Sequence, residues 1–155
     1  MRFFIFGEYS LKLVKWDEYD ALLIKLYNDI SLRDFDEIVA IGRGGSIIGA
    51  YLAEKIGLPT FNPIFLRHVG RGAERKIVAP DIDKIKSLSG EILVVDDWQV
   101  EGSAMKFVTD LIPNAASITT MVMFSRKRSD FKPDFVGEYV EEGEREIVFP
   151  YNPLG

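Results

Sequence analysis

The chain has 155 residues, 19 of them Lys or Arg and 24 Asp or Glu, for a formal net charge of −5. That length suits one domain around one core, an apolar content of 47% argues against disorder, and the acidity argues against a nucleic-acid partner. With no cysteine and a single histidine, disulfides, thiol catalysis and a multi-histidine zinc centre are excluded. No apolar run is long enough to span a membrane and no leader-like segment opens the chain, so no membrane partner and a cytoplasmic location are expected.

Residues 3–6 and 11–14 fit short strands. Asp17 is placed as the N-cap of a helix over 18–30, with Tyr19, Leu22, Leu23, Leu26 and Ile30 at helical spacing. Residues 37–41 read as a buried strand. Residues 46–56 read as a helix that turns Ile47, Ile48, Tyr51, Leu52 and Ile56 inward and stops at Gly57. Another strand is expected over 60–65. Arg67, His68, Arg71, Arg75 and Lys76 are then interleaved with Gly70 and Gly72. That composition suits either a solvated basic loop or a mobile flap over an anionic ligand. A short helix over 81–88, a strand over 91–95, a helix over 103–112 and a strand over 116–124 follow, with final strands over 133–140 and 147–149. Strands alternating with helices imply an α/β fold with a mainly parallel central sheet flanked by helices. Ligands of such sheets sit at the carboxyl ends of the strands.

Two stretches have the character of a site. Residues 92–103 run from four apolar residues into adjacent carboxylates, Asp96 and Asp97, then into a loop and a helix opened by Gly102 and Ser103. Carboxylates can hold sugar hydroxyls, and backbone N–H groups at a helix start can hold phosphate. Acids at a strand end can also be mere solvation. A receiver domain pairs acids too, but on its first strand rather than mid-chain. The second stretch is Ile41-Gly42-Arg43-Gly44-Gly45-Ser46, again between a strand and a helix. Glycines admit an anion close to the backbone, and Arg43 adds a planar donor fork. The dinucleotide fingerprint fails because Ile47 stands where its third glycine belongs, and the P-loop fails because Ala50-Tyr51 follow Gly49.

Together, the Arg-Gly-Gly turn and the Val-Val-Asp-Asp strand end resemble the type I phosphoribosyltransferases, most closely the small xanthine-guanine and hypoxanthine kind. The similarity runs from Trp16-Asp17 to Ile147-Val148-Phe149-Pro150-Tyr151. It implies one domain over 1–155, with a core over about 17–125 and a hood formed by about 126–155 with residues 1–15. It implies transfer of ribose 5-phosphate from phosphoribosyl diphosphate to a purine or purine-like base, with magnesium and release of diphosphate. By the same resemblance, Asp96 and Asp97 hold the ribose hydroxyls, and Asp97 reaches magnesium through water. Arg43, Gly44 and Gly45 bind diphosphate, with Arg43 also counted as catalytic. Glu101, Gly102, Ser103, Ala104 and Met105 hold the 5′-phosphate. Arg67, His68, Arg71, Arg75 and Lys76 form the covering loop. Val100, Arg126, Lys127, Glu146 and Ile147 meet the base. Similar proteins are often dimers, so a homodimer is expected by analogy alone.

The chain departs from the family pattern at the far end of the site. Val100 stands where the family has an Asp facing the purine, and Glu101 and Ala104 replace threonines that help hold the 5′-phosphate. Glu146 falls where related enzymes stack a tryptophan. Trp98 either offers a substitute face or packs beside the acids. These departures bring in a second reading, a non-catalytic regulator that binds a nucleotide or phosphoribosyl diphosphate on the same fold. A third, an RNA-binding regulator using Arg71, Arg75, Lys76, Arg126, Lys127, Arg128 and Lys132, is opposed by the net charge.

Overall fold

The computed structural model describes residues 5–6, 9–141 and 144–152. Residues 3 and 4 of the expected first strand lie outside them. In chain order the elements are β1 (Ile5–Phe6), β2 (Tyr9–Leu13), α1 (Trp16–Ile30), β3 (Glu37–Ile41) and α2 (Gly42–Ile56). Next come β4 (Asn62–Ile64), β5 (Arg67–Val69), a single 3₁₀ turn at Gly72–Glu74, β6 (Lys76–Val78) and α3 (Asp83–Lys86). The chain continues with β7 (Gly90–Gln99), α4 (Ser103–Thr109), β8 (Ala115–Arg126), β9 (Phe135–Val140) and β10 (Glu144–Val148).

Five strands form one parallel sheet in the order β4-β3-β7-β8-β9. Its two central strands are apolar on both faces, as strands covered by helices on each side must be. On β3, Ile38 and Ala40 join the core with Leu23 and Leu26 of α1 and Ile48 and Leu52 of α2. Val39 and Ile41 turn to the other core, with Ile85 of α3 and Met105 and Val108 of α4. On β7, Leu93 and Val95 take the first side, and Ile92 and Val94 take the second. Among the described residues, no helix is long and apolar enough to cross a membrane.

Several elements differ from their expected limits, each for a local reason. Helix α1 begins at Trp16 with Lys15 as N-cap, and Asp17 lies in the first turn, where a carboxylate meets the positive end of the helix. Helix α2 begins at Gly42 rather than Ser46, so the glycine turn is helical despite the low helix propensity of glycine. Strand β7 does not stop at the acids. It runs on to Gln99 because the twelve-residue β8 continues beside it, pairing Asp96 with Val122, Trp98 with Phe124 and Gln99 with Ser125. The basic segment over 67–76 runs along an antiparallel ribbon, β5 on β6, and the turn that joins its strands.

Residues 135–140, expected in the hood, instead form the fifth strand of the central sheet. Asp134 sets their entry by accepting the Thr120 backbone N–H at 2.7 Å and its hydroxyl at 2.9 Å. The small sheet is β1-β2-β10, with β10 parallel to β2. It is tied to the main body by Lys12 of β2, which is only 2% exposed. The Lys12 ammonium pairs with Glu18 of α1 at 3.3 Å and with Glu138 of β9, and it lies 5.0 Å from the Phe124 ring centroid. Burial works against its charge, but Glu138 and Glu18 outweigh burial and hold the Lys12 pKa above the ordinary lysine value. Lys12→Ala is expected to cost about 2–3 kcal/mol, since it strips two carboxylates of a buried cation and the core of an aliphatic stem. A lower denaturant midpoint with an unchanged slope is the readout.

Candidate functional site

The site is built around Asp96 and Asp97 on β7. Alternation along the strand sends them to different faces. Asp97 is turned toward α2, against its first helical turn. A Cβ added at Gly44 would lie 1.7 Å from Asp97 Oδ2 and 2.6 Å from the Tyr151 hydroxyl, so only glycine fits there. Gly45 sits against β7 itself, where an added Cβ would lie 2.9 Å from the Val95 carbonyl oxygen. The glycines therefore let a helix N-terminus rest directly on the acid-bearing strand. The helix begins four residues early because tertiary contact overrides propensity.

Tyr151 completes this contact. Its hydroxyl donates to Asp97 Oδ2 at 2.6 Å, while its ring stacks on Phe149 with centroids 5.1 Å apart and planes 7° apart. Tyr19 meets the Tyr151 ring edge-on at 5.7 Å. Burial first, and then the Asp97 charge, push the Tyr151 phenol far above its ordinary value, so it stays protonated and remains a donor. Tyr151 was not among the expected site residues. The hints in the sequence are its place in the family-like segment Ile147-Val148-Phe149-Pro150-Tyr151 and the aromatic pair Phe149 and Tyr151 two residues apart.

Arg43, Gly44, Asp96, Asp97, Tyr151 and Asn152 line one cavity of about 550 Å³. Asp96 also lines a neighbouring cavity of about 530 Å³, together with residues 101–105 and with His68, Arg75 and Ile77 of the ribbon. The glycine turn, the acid pair and the α4 turn are thus brought together around Asp96. Of the basic segment, His68 and Arg75 line this cavity. Arg67 and Lys76 hold the alternate register positions of the ribbon, and Arg71 is exposed ahead of the 3₁₀ turn.

A third hollow, about 250 Å³, is lined by Val100, Glu101, Arg126, Lys127 and Arg128. The Arg126 guanidinium lies over the Trp98 ring at 5.8 Å, and Trp98 also packs against the α1–α2 core. That ring face is therefore taken by Arg126. Glu146 is exposed on β10, and Ile147 is 5% exposed within the core. Ile147 belongs to the same core cluster as Phe149 and the buried residues of α1.

Gln99 is a second residue that the sequence did not single out. It is 4% exposed, and its amide donates to Ser129 Oγ at 2.8 Å and to the Phe131 carbonyl at 2.9 Å. Gly102, at φ +88°, lies under Phe131, whose Cβ would stand 2.3 Å from a Cβ added at residue 102. The turn before α4 is in this way strapped to the segment after β8.

Burial and the adjacent Asp97 charge push the Asp96 carboxyl well above the usual carboxylate range, while the Asp97 backbone N–H, donating to Asp96 Oδ1 at 2.8 Å, acts the other way. A raised folded-state pKa means that the native state binds more protons than the unfolded chain, so the ionised form costs stability as pH rises. Asp96→Asn is expected to raise the melting temperature at pH 7 by on the order of a few degrees. The gain should shrink as pH falls from the raised Asp96 pKa toward the ordinary carboxylate value and be gone below it, which thermal melts across pH 3–8 would show. Tyr151→Phe removes a hydrogen bond to a carboxylate and is expected to cost about 1.5 kcal/mol, read as a fall in denaturant midpoint.

No protein-family model matches the chain. Among curated proteins it is 26% identical over 144 residues to the xanthine-guanine phosphoribosyltransferase of Chromohalobacter salexigens, covering 90% of this chain and 82% of that one. Its fold is similar to that of a purine phosphoribosyltransferase from Pyrococcus horikoshii, with a TM-score of 0.76 and 22% identity over 94% of this chain and 96% of that one. It is also similar to a protein from Neisseria gonorrhoeae solved with bound ppGpp, with a TM-score of 0.78 and 19% identity over 93% and 90% of the two chains. An Asp-Asp strand end, a glycine turn pressed against it and a five-strand parallel sheet thus coincide with sequence similarity to a xanthine-guanine phosphoribosyltransferase, and the chain carries the fold of the purine phosphoribosyltransferases.

Proposed function

We propose that the chain is a phosphoribosyltransferase. It transfers ribose 5-phosphate from phosphoribosyl diphosphate to a nitrogen of a purine or purine-like base and releases diphosphate. The observation that carries this reading is that Arg43, Gly44, Asp96 and Asp97 line one cavity, which meets a second cavity at Asp96. Two hollows joined at a carboxylate suit a pentose with anionic groups at both ends.

The chemistry needs little from side chains beyond placement and charge. As the bond from ribose C1 to the diphosphate oxygen breaks, the ring carbon gains positive character and the leaving group carries off the electron pair. Asp96 and Asp97, holding the ribose hydroxyls, place negative charge beside that carbon. Arg43 and the N-terminus of the fifteen-residue α2 place positive charge beside the diphosphate. The base nitrogen forms the new bond to C1 and loses its proton. Tyr151 keeps Asp97 in place, and the ribbon helps to exclude water.

The donor set fits magnesium as a shared ligand. Among the described residues no group of three His, Cys, Asp or Glu side chains converges, whereas magnesium sites commonly take one or two carboxylates with substrate phosphates and water. Asp97, through water, with Asp96 beside it, would hold the ion, which when bound offsets negative charge on the departing diphosphate. The hollow of Val100, Arg126 and Lys127 is the proposed base site. Its basic side chains favour a base rich in carbonyl oxygens.

A second reading, a regulator that binds a purine nucleotide without turnover, is favoured by the Glu101 carboxylate in the turn and by the ppGpp-bound structural neighbour. One assay separates the two. With magnesium, phosphoribosyl diphosphate and a panel of purine bases, diphosphate release is expected with at least one base. Asp97→Asn should reduce that release by about 100-fold or more, since it removes a charge from the reacting centre. Binding of phosphoribosyl diphosphate without release across the panel would establish the regulator. No binding of phosphoribosyl diphosphate and none of a purine nucleotide, each at millimolar concentration, would remove both.

A further inference from the structure

The cavity of about 530 Å³ beside the acid pair has a floor and a roof of different chemistry. The floor is Asp96, the end of β7 and the turn into α4, which brings the Glu101 carboxylate, the Ser103 hydroxyl and the Ala104 methyl. None of these side chains is cationic. The roof is the β5–β6 ribbon, and its register decides which side chains face down. His68 stands directly opposite Ile77, so the two share a face. Arg75 lies two residues before Ile77 in extended backbone, φ −64° and ψ 122°, and alternation puts it on the same face. All three line the cavity.

Among the described residues, neither Arg75 nor His68 has a side-chain hydrogen bond or ion pair, whereas Lys12, Lys25, Lys86, Lys106 and Lys127 are each paired with a carboxylate. We propose that Arg75 and His68 are ligands of the phosphate monoester of the bound pentose, held in this second cavity. The proposal rests on the reading of the acid pair as a pentose site and adds to it the side chains that recognise the phosphate.

The charges leave little alternative for a phosphate placed there. The Glu101 carboxylate repels it, Ser103 offers one hydroxyl, and the fixed positive charge lining the cavity is Arg75 of the ribbon. Arg75 supplies a planar fork matched to two phosphate oxygens, and His68 supplies a ring N–H. The cavity lies within the usual range for a small-molecule site, roughly 300–1,000 Å³. The ribbon strands pair only with each other among the described strands, so drawing them onto a ligand breaks no hydrogen bond of the central sheet. In this chain a segment that would otherwise only cover the site becomes the phosphate-reading element.

The test is calorimetry on the full chain with three probes: a purine nucleoside 5′-monophosphate, its parent nucleoside and inorganic diphosphate. The wild-type protein should prefer the monophosphate to the nucleoside by about tenfold or more, the scale of charge-assisted hydrogen bonds. Arg75→Ala should cut that preference by about fivefold or more, His68→Ala should cut it less, and Arg75→Lys should restore part of it, while diphosphate binding stays within about twofold. Lys84→Ala removes an exposed charge elsewhere and should leave the preference intact. His68 is the only histidine, so its imidazole resonances give an independent readout: the monophosphate should move them and the nucleoside should not. A preference that survives Arg75→Ala and His68→Ala together overturns the proposal and leaves the pentose reading standing. Loss of diphosphate affinity in place of the phosphate preference also overturns it, because the cations would then serve the leaving group. If none of the probes binds and phosphoribosyl diphosphate does not bind either, the pentose reading falls as well.

Discussion

Two neighbouring carboxylates on one buried parallel strand form the constraint to which the surrounding structure answers. Asp96 and Asp97 cannot share a face, because side chains alternate along β7. One is delivered to the junction of two cavities and the other to the first turn of α2. The second placement dictates Gly44, since any Cβ there would strike the Asp97 carboxylate. It also calls for a partner for the half-buried acid, and the Tyr151 hydroxyl supplies it. The raised pKa of Asp96 is the cost of the arrangement: a carboxylate kept beside another charge with little solvent favours its neutral form until a ligand brings donors or a cation.

Around this pair the fold brings in segments that are remote in sequence. The tail carrying Tyr151 reaches the site because β10 pairs with β2 and Lys12 anchors that small sheet to α1 and β9. The segment after β8 reaches it because Gln99 binds Ser129 and Phe131 beneath Gly102. The hollow beside Val100 and Arg126 and the turn before α4 are therefore joined by one buried amide.

Charge is distributed unevenly for a chain of net −5. The acids converge on β7 and the turn into α4. Arg43 stands to one side in the first cavity and Arg75 with His68 roofs the second. That separation matches a ligand with a neutral, hydroxyl-bearing centre and anionic ends, and it suits the nucleotide-binding reading as well as the catalytic one. The departures at Val100, Glu101 and Ala104 lie at the end of the site where Arg75 and His68 converge, so the altered turn and the ribbon are best understood as one unit.

The α/β class, the two strand-to-helix turns and the central place of Asp96, Asp97 and Arg43 were determined by the sequence alone. Four apolar residues running into two acids suit a buried strand that carries its acids toward a rim, and that pattern is local. The helical first turn of α2 and the extension of β7 to Gln99 were decided by tertiary contact. Local propensity gives Gly42 to Gly45 no reason to be helical until β7 lies beneath them, and Trp98 and Gln99 no reason to be strand until β8 runs alongside. The same holds for Tyr151 on Asp97, 54 residues apart, and for Gln99 with Ser129. A side chain announces its residue type but not its partner, and the partner is chosen only when packing sets which faces meet.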